Sequence, residues 1–159
     1  MDPVSLIMGF IAGVVLTGLA VWTLMPKLMI KVYPSRLSVD ETAAAVEQAA
    51  LGKNWKVPKI YDIQKTLKDS GLSDMTPLKI VSLCQPQHAY NILTPNDRDK
   101  VVTAIMPCRV AAYQGNDGKV YIAEMNMGLM SRMFGGNIAR VMSAVAAEEK
   151  EMIEPLIRR

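Results

Sequence analysis

The chain has 159 residues, half of them hydrophobic, and a formal net charge of +3. That length accommodates one ordinary domain and at most one appendage. The charges are scattered, with no Lys/Arg stripe interleaved with aromatics, which argues against nucleic acid as a partner.

The first element is the run PVSLIMGFIAGVVLTGLAVWTLMP, Pro3 to Pro26, which contains no charged side chain. As a helix rising about 1.5 Å per residue it matches the hydrocarbon core of a bilayer, about 30 Å thick. A cleaved signal peptide would begin with basic residues and end at small ones. Here the start is Met1-Asp2 and the end is Trp22, Met25 and Pro26. The expectation is therefore a retained single-pass anchor over residues 1–26. All 18 Lys and Arg and 14 of the 15 acids lie beyond it, a balance of +4. Lys27, Lys31 and Arg36 follow closely and none precedes. Basic flanks resist translocation, so residues 27–159 are expected on the cytoplasmic side of an inner or plasma membrane, with a periplasmic domain the alternative. The three cations are placed to meet anionic headgroups. Gly9 and Gly13, in GFIAG, have helix-pairing spacing. The expected partners are thus the lipid bilayer and a second copy or a larger membrane complex.

KLMIKVYPSR leaves the anchor as a short strand or linker, residues 27–37, closed by Pro34. An α+β domain over 38–159 follows. In SVDETAAAVEQAALG, Ser38 and Glu41 have capping-box spacing, Val39, Ala43, Val46 and Ala50 share one face, and Gly52 is a terminator. NWKVPKIYDI reads as extended, and Asp62 to Ser70 as a shorter helix ended by Gly71. LKIVSLC is an apolar, β-branched run suited to a buried strand. Pro86 starts a short helix, PQHAYNIL. VVTAIMPCRVAAYQ and KVYIAEM are read as two strands joined by the turn GNDG. The last helical region runs from about Met127 to Ile157, bent at Gly135-Gly136. One early helix, strands, a hairpin and a closing helix suggest a mainly antiparallel sheet with helices packed against one face. About 130 residues bury a real core without needing a disulfide or metal.

VSLCQPQHAYNIL, followed by IMPCRVAAYQGNDGKVYIAEMN, resembles the domain-of-unknown-function 302 family: a Cys-x-Pro segment entering a short helix, then a Pro-Cys strand. GKNWKVPKIYDIQKTLKDSG and MGLMSRMFGGNIARVM resemble its membrane-anchored branch. The resemblance covers about residues 36–145, and Cys84, Pro86, Pro107 and Cys108 match the pattern. It implies a compact domain similar to the TATA-binding-protein-like α+β fold, often paired as a dimer. It implies neither DNA binding nor any established activity, because fold and function separate readily.

The chemistry-bearing residues cluster in the same segment. Cys84 sits just before the Pro86 helix, where unpaired N–H groups and the helix dipole favour a thiolate. His88 follows one turn later, and Cys108 adjoins Cys84 if their strands are neighbours. A redox dithiol, a soft-metal or haem ligand set, and two packed thiols are all compatible with this arrangement. Without a Cys-x-x-Cys, neither a zinc ribbon nor a thioredoxin-like motif is supported. In MNMGLMSRM, Met125, Met127, Met130 and Met133 offer thioethers suited to Cu(I) or haem iron. Yet Met127, Met130, Phe134, Ile138, Val141 and Val145 form an apolar helical face, which reads as core. No cofactor is nominated, and no phosphate loop, His-Glu-x-x-His or Gly-x-Ser-x-Gly is present. The leading reading is a membrane-tethered binding or accessory domain with a ligand or redox site at Cys84, His88 and Cys108. The alternative is a thiol enzyme with Cys84 as nucleophile and His88 as base.

Overall fold

The computed structural model describes residues 2–72 and 74–157. Its first element is helix α1 (Pro3–Met29), started by Asp2 and carrying Pro26 within it. The helix therefore continues about a turn past the proline expected to end it. Its apolar residues up to Leu24 are exposed, including Val14, Leu16 and Trp22, whereas Met29 at its end packs against the domain core. Strand β1 (Ile30–Pro34) follows without a linker. The junction is closed by Asn126, whose backbone N–H donates to the Met29 carbonyl at 2.7 Å and whose side-chain amide donates to Leu28 at 2.9 Å. Two carbonyls that the helix end leaves unpaired are thus satisfied by the domain.

The rest of the chain runs α2 (Val39–Gly52), β2 (Lys56–Asp62), α3 (Ile63–Asp69), β3 (Leu78–Cys84), α4 (Pro86–Leu93), a 3-10 segment (Asp97–Ile105), β4 (Cys108–Gln114), β5 (Val120–Met125), α5 (Met127–Met133) and α6 (Gly136–Ile153). The five strands form one sheet in the order β1-β5-β4-β3-β2, and every neighbouring pair is antiparallel. The expected α+β class holds.

Ser38 caps α2 through the full reciprocal box with Glu41, as the spacing indicates. The residue that adopts the left-handed conformation after α2 is Asn54, at φ 62, rather than Gly52. Asparagine tolerates this region better than most side chains. Gly71, at φ 82, does end the turn after α3. The GNDG hairpin forms between β4 and β5, with Gly118 at φ 76 and Asp117 accepting from Lys119 N–H and from the Tyr121 hydroxyl.

One strand is shorter than expected. Residues 101–105, read as extended, belong to the 3-10 segment. Asn96 caps that segment by accepting from Asp99 N–H, and Asp97 and Asp99 place negative charge in its first turn. Both effects favour a helical start over a strand.

The core lies between one sheet face and helices α2 and α6. Pairing Val81 with Val110, Leu83 with Cys108 and Ala112 with Ile122 puts these side chains on the same face. Val81, Leu83, Val110 and Ile122 cluster there with Val46 and Ala50 of α2 and Val141, Val145 and Met152 of α6. The expected stripe of Met127, Met130, Ile138, Val141 and Val145 is buried, with Phe134 packed against it, although it is split between two helices. Met125 is partly buried, whereas Met133 is 57% exposed. Replacing Met130, 7% exposed, by Ala should therefore destabilise the domain by about 2–5 kcal/mol. Met133→Ala should change stability by less than about 0.5 kcal/mol. Urea unfolding of both variants compares them, and equal losses would contradict this assignment of the core.

Candidate functional site

The β3–β4 register sets the site. Leu83 lies opposite Cys108, so Cys84, the last residue of β3, ends beside the start of β4. Gln85 then turns the chain into α4 by accepting a hydrogen bond from the His88 backbone N–H at 2.8 Å. Pro86 occupies the first helical position, where no N–H is needed. Cys84, His88 and Cys108 all line one cavity of about 50 Å³, whose apolar wall includes Leu83, Ile92 and Val145. Both cysteines are free thiols.

His88 reaches this cavity, but its Nε2 is paired with Glu148 Oε1 at 2.8 Å. Trp55, 1% exposed, donates its indole N–H to the other oxygen of the same carboxyl at 2.6 Å, and its ring meets the imidazole edge-on at 6.4 Å. Among the described residues no hydrogen bond joins His88 to Cys84. Glu148 thus fixes the orientation of the imidazole through Nε2. Burial pushes the Glu148 carboxyl up, but the Trp55 and His88 hydrogen bonds and the nearby Lys53 charge outweigh it and hold the group below its ordinary range.

Cys108 has a different neighbour. Burial, reinforced by the charge and hydrogen bond of Glu149, pushes its thiol far up. Glu149 is 5% exposed, and burial together with the negative charge of Glu124 lifts its carboxyl to about 8, partly offset by the Cys108 hydrogen bond and by Lys31. Glu124, opposite Val110 in β5, is also raised by burial. Its Oε1 lies 3.9 Å from Lys31 Nζ, and its Oε2 is buried without a hydrogen-bond partner among the described residues.

The methionines sort by position. Met127 lines the cavity together with Met106 and Met142, which were not among the expected ligands. Met125, Met130 and Met133 do not line it. Among the described residues, no three His, Cys, Asp or Glu side chains are grouped to hold a metal ion. Haem has no room in 50 Å³, since small-molecule pockets run to roughly 300–1,000 Å³.

Sequence reading missed Glu124, Glu148, Glu149, Trp55, Met106 and Met142. A signal existed for two of them. Glu149 lies four residues after Val145 and three before Met152, on the apolar stripe of α6, and Glu124 alternates with Val120 and Ile122 on the inward phase of β5. A carboxyl in a core phase indicates a buried acid.

Fold and cavity define the protein as a small antiparallel α+β domain with two thiols in an apolar pocket, carried behind one apolar helix. The family model for the domain of unknown function DUF302 matches residues 31–158, and the chain belongs to that family. It is also similar to the crystal structure of an uncharacterized conserved DUF302 protein from Bacillus stearothermophilus, with a TM-score of 0.70 and 19% identity over 80% of this chain and 98% of that one. At that identity the likeness concerns the fold. No curated protein matches the chain.

Two of the three glutamates on α6, Glu148 and Glu149, give opposite pH dependences. Glu149, lifted in the folded state from its ordinary 4.5 to about 8, favours folding only while protonated. The unfolded chain ionises first as pH rises from about 4.5, so stability falls until about pH 8 and then levels off. Glu148 is depressed, so its contribution is present above the ordinary carboxyl value and is lost as pH falls through the folded one. Glu149→Gln should therefore gain over the native chain with rising pH, by on the order of a few kcal/mol at pH 8. Urea midpoints from pH 4 to 9 measure this, and a pH-independent difference would contradict the buried acid.

Proposed function

We propose that this protein is a single-pass, membrane-anchored accessory or binding domain, with Cys84 and Cys108 as its ligand or redox-sensing site. The observation that carries this reading is the convergence of both thiols on one apolar cavity, although 23 residues separate them in the sequence. Two thiols placed independently as core filler have no need to share a void with an imidazole. The thiol-enzyme alternative lacks a Cys84–His88 hydrogen bond among the described residues, although Glu148 on Nε2 is the kind of carboxylate partner that orients a catalytic imidazole and leaves Nδ1 for the base. Anchoring is supported by α1, the one described helix long and apolar enough to cross a membrane. The cytoplasmic orientation rests on Lys27, Lys31 and Arg36 following that helix.

Iodoacetamide labelling of the native full-length chain, with Cys84→Ser and Cys108→Ser variants across pH 5–9, tests the site. Cys84, at a strand-to-helix junction, should label in the folded protein and faster than Cys108, whose thiol is buried against Glu149. Thiols that stay inert until the protein unfolds would reduce both to packing. A C-terminal reporter active only outside the cytoplasm would reverse the orientation.

A further inference from the structure

We propose that the ligand of the Cys84/Cys108 cavity is a soft monovalent metal ion of the Cu(I) class, held by the two thiolates and by the thioethers of Met127 and Met142. This rests on the reading of the cavity as a thiol site and specifies what it takes.

The donors select the ion. Five sulfur side chains line the cavity: Cys84, Cys108, Met106, Met127 and Met142. They come from the end of β3, the start of β4, the segment before it, the start of α5 and the middle of α6, so no single periodic stripe puts them there. Met142 is 2% exposed and Met127 9%, which fixes both within the core rather than on a mobile surface. Thiolate and thioether sulfur select Cu(I) over hard cations, which prefer carboxylate, carbonyl and water. The surroundings point the same way. The wall is overwhelmingly apolar, so a strongly hydrated ion would lose its shell without replacement. Zinc and iron sites call for several His, Cys or carboxylate ligands, and no such group of three exists among the described residues. A volume of about 50 Å³ accepts an ion and excludes a cofactor.

The binding step balances simply. Two thiols and one Cu(I) give a bis-thiolate copper centre and two protons, with no change of oxidation state. Metal coordination drives deprotonation of a thiol that burial otherwise keeps protonated. The thioethers add neutral donors, so they complete the coordination without adding charge to the cavity.

The test is anaerobic titration of the full-length chain in detergent with Cu(I), in competition with bicinchoninate at pH 7. One Cu(I) per chain should be withdrawn from the chelator. The Cys84→Ser and Cys108→Ser variants should each lose this. Met142→Leu, which preserves volume and core packing, should weaken retention at least tenfold while leaving native thiol labelling intact. Zn(II) should not displace the copper. If the native thiols label as expected but the chain withdraws no copper, or if Zn(II) competes equally, the metal assignment fails and the thiol site stands. Full retention in a Met127→Leu/Met142→Leu double variant would overturn the thioether ligands. Thiols inert before unfolding would remove both readings at once.

Discussion

The antiparallel register that sets Leu83 against Cys108 is the constraint on which the site depends. Side chains alternate along a strand, so a slip of one residue would turn Cys108 out of the core and carry Val110 and Ala112 with it. The apolar face that fixes this register also positions the thiol. Val81, Leu83 and Val110 are essentially inaccessible to water, and exposing them by a shift would cost about 1.5–3 kcal/mol each, more together than the packing of one thiol returns. The position of Cys108 is thus a by-product of core formation. Cys84 needs one further device, the Gln85 cap and Pro86 start that turn the chain sharply at the strand end.

Helix α6 closes the cavity and divides its electrostatics. Neighbouring residues on a helix point about 100° apart, so Glu148 and Glu149 meet different surroundings although they are adjacent in sequence. Glu148 is stabilised as a carboxylate by the Trp55 indole and by His88. Glu149 sits within the core beside Cys108 and faces the charge of Glu124, which favours its neutral form. One carboxyl orients an imidazole and the other lies against a thiol. The same helix delivers Met142 and Val145 to the cavity wall, so displacement of α6 would disturb every part of the site together.

Much of the architecture was legible because it follows from short-range rules. The Ser38–Glu41 box, the Pro86 start, the GNDG turn and the buried stripe through Met130 and Val141 are each written in a few neighbouring residues. Residues 101–105 were misread because a β-branched, apolar pair resembles a strand, while the deciding signal was the Asn96 cap upstream. The site was legible only in part. Cys84, His88 and Cys108 were found as rare residue types close in sequence, but Glu148 and Trp55 come to His88 from other elements, across 60 and 93 residues in their hydrogen-bond network. Contacts of that range are fixed by packing, which composition and spacing do not encode. The methionines show the same limit. Met127 was nominated with neighbours that point elsewhere, and its cavity partners Met106 and Met142 lie in distant segments.

The central claim is that Cys84 and Cys108 form one site rather than two separate core residues. Phenylarsine oxide binds tightly only where two thiols can reach the same arsenic atom, so it reads this proximity directly. The native full-length chain should take up one equivalent and thereby protect both cysteines from later alkylation, while either single serine variant should take up none tightly. Two thiols that react singly in the native state but never together hold arsenic would contradict the account.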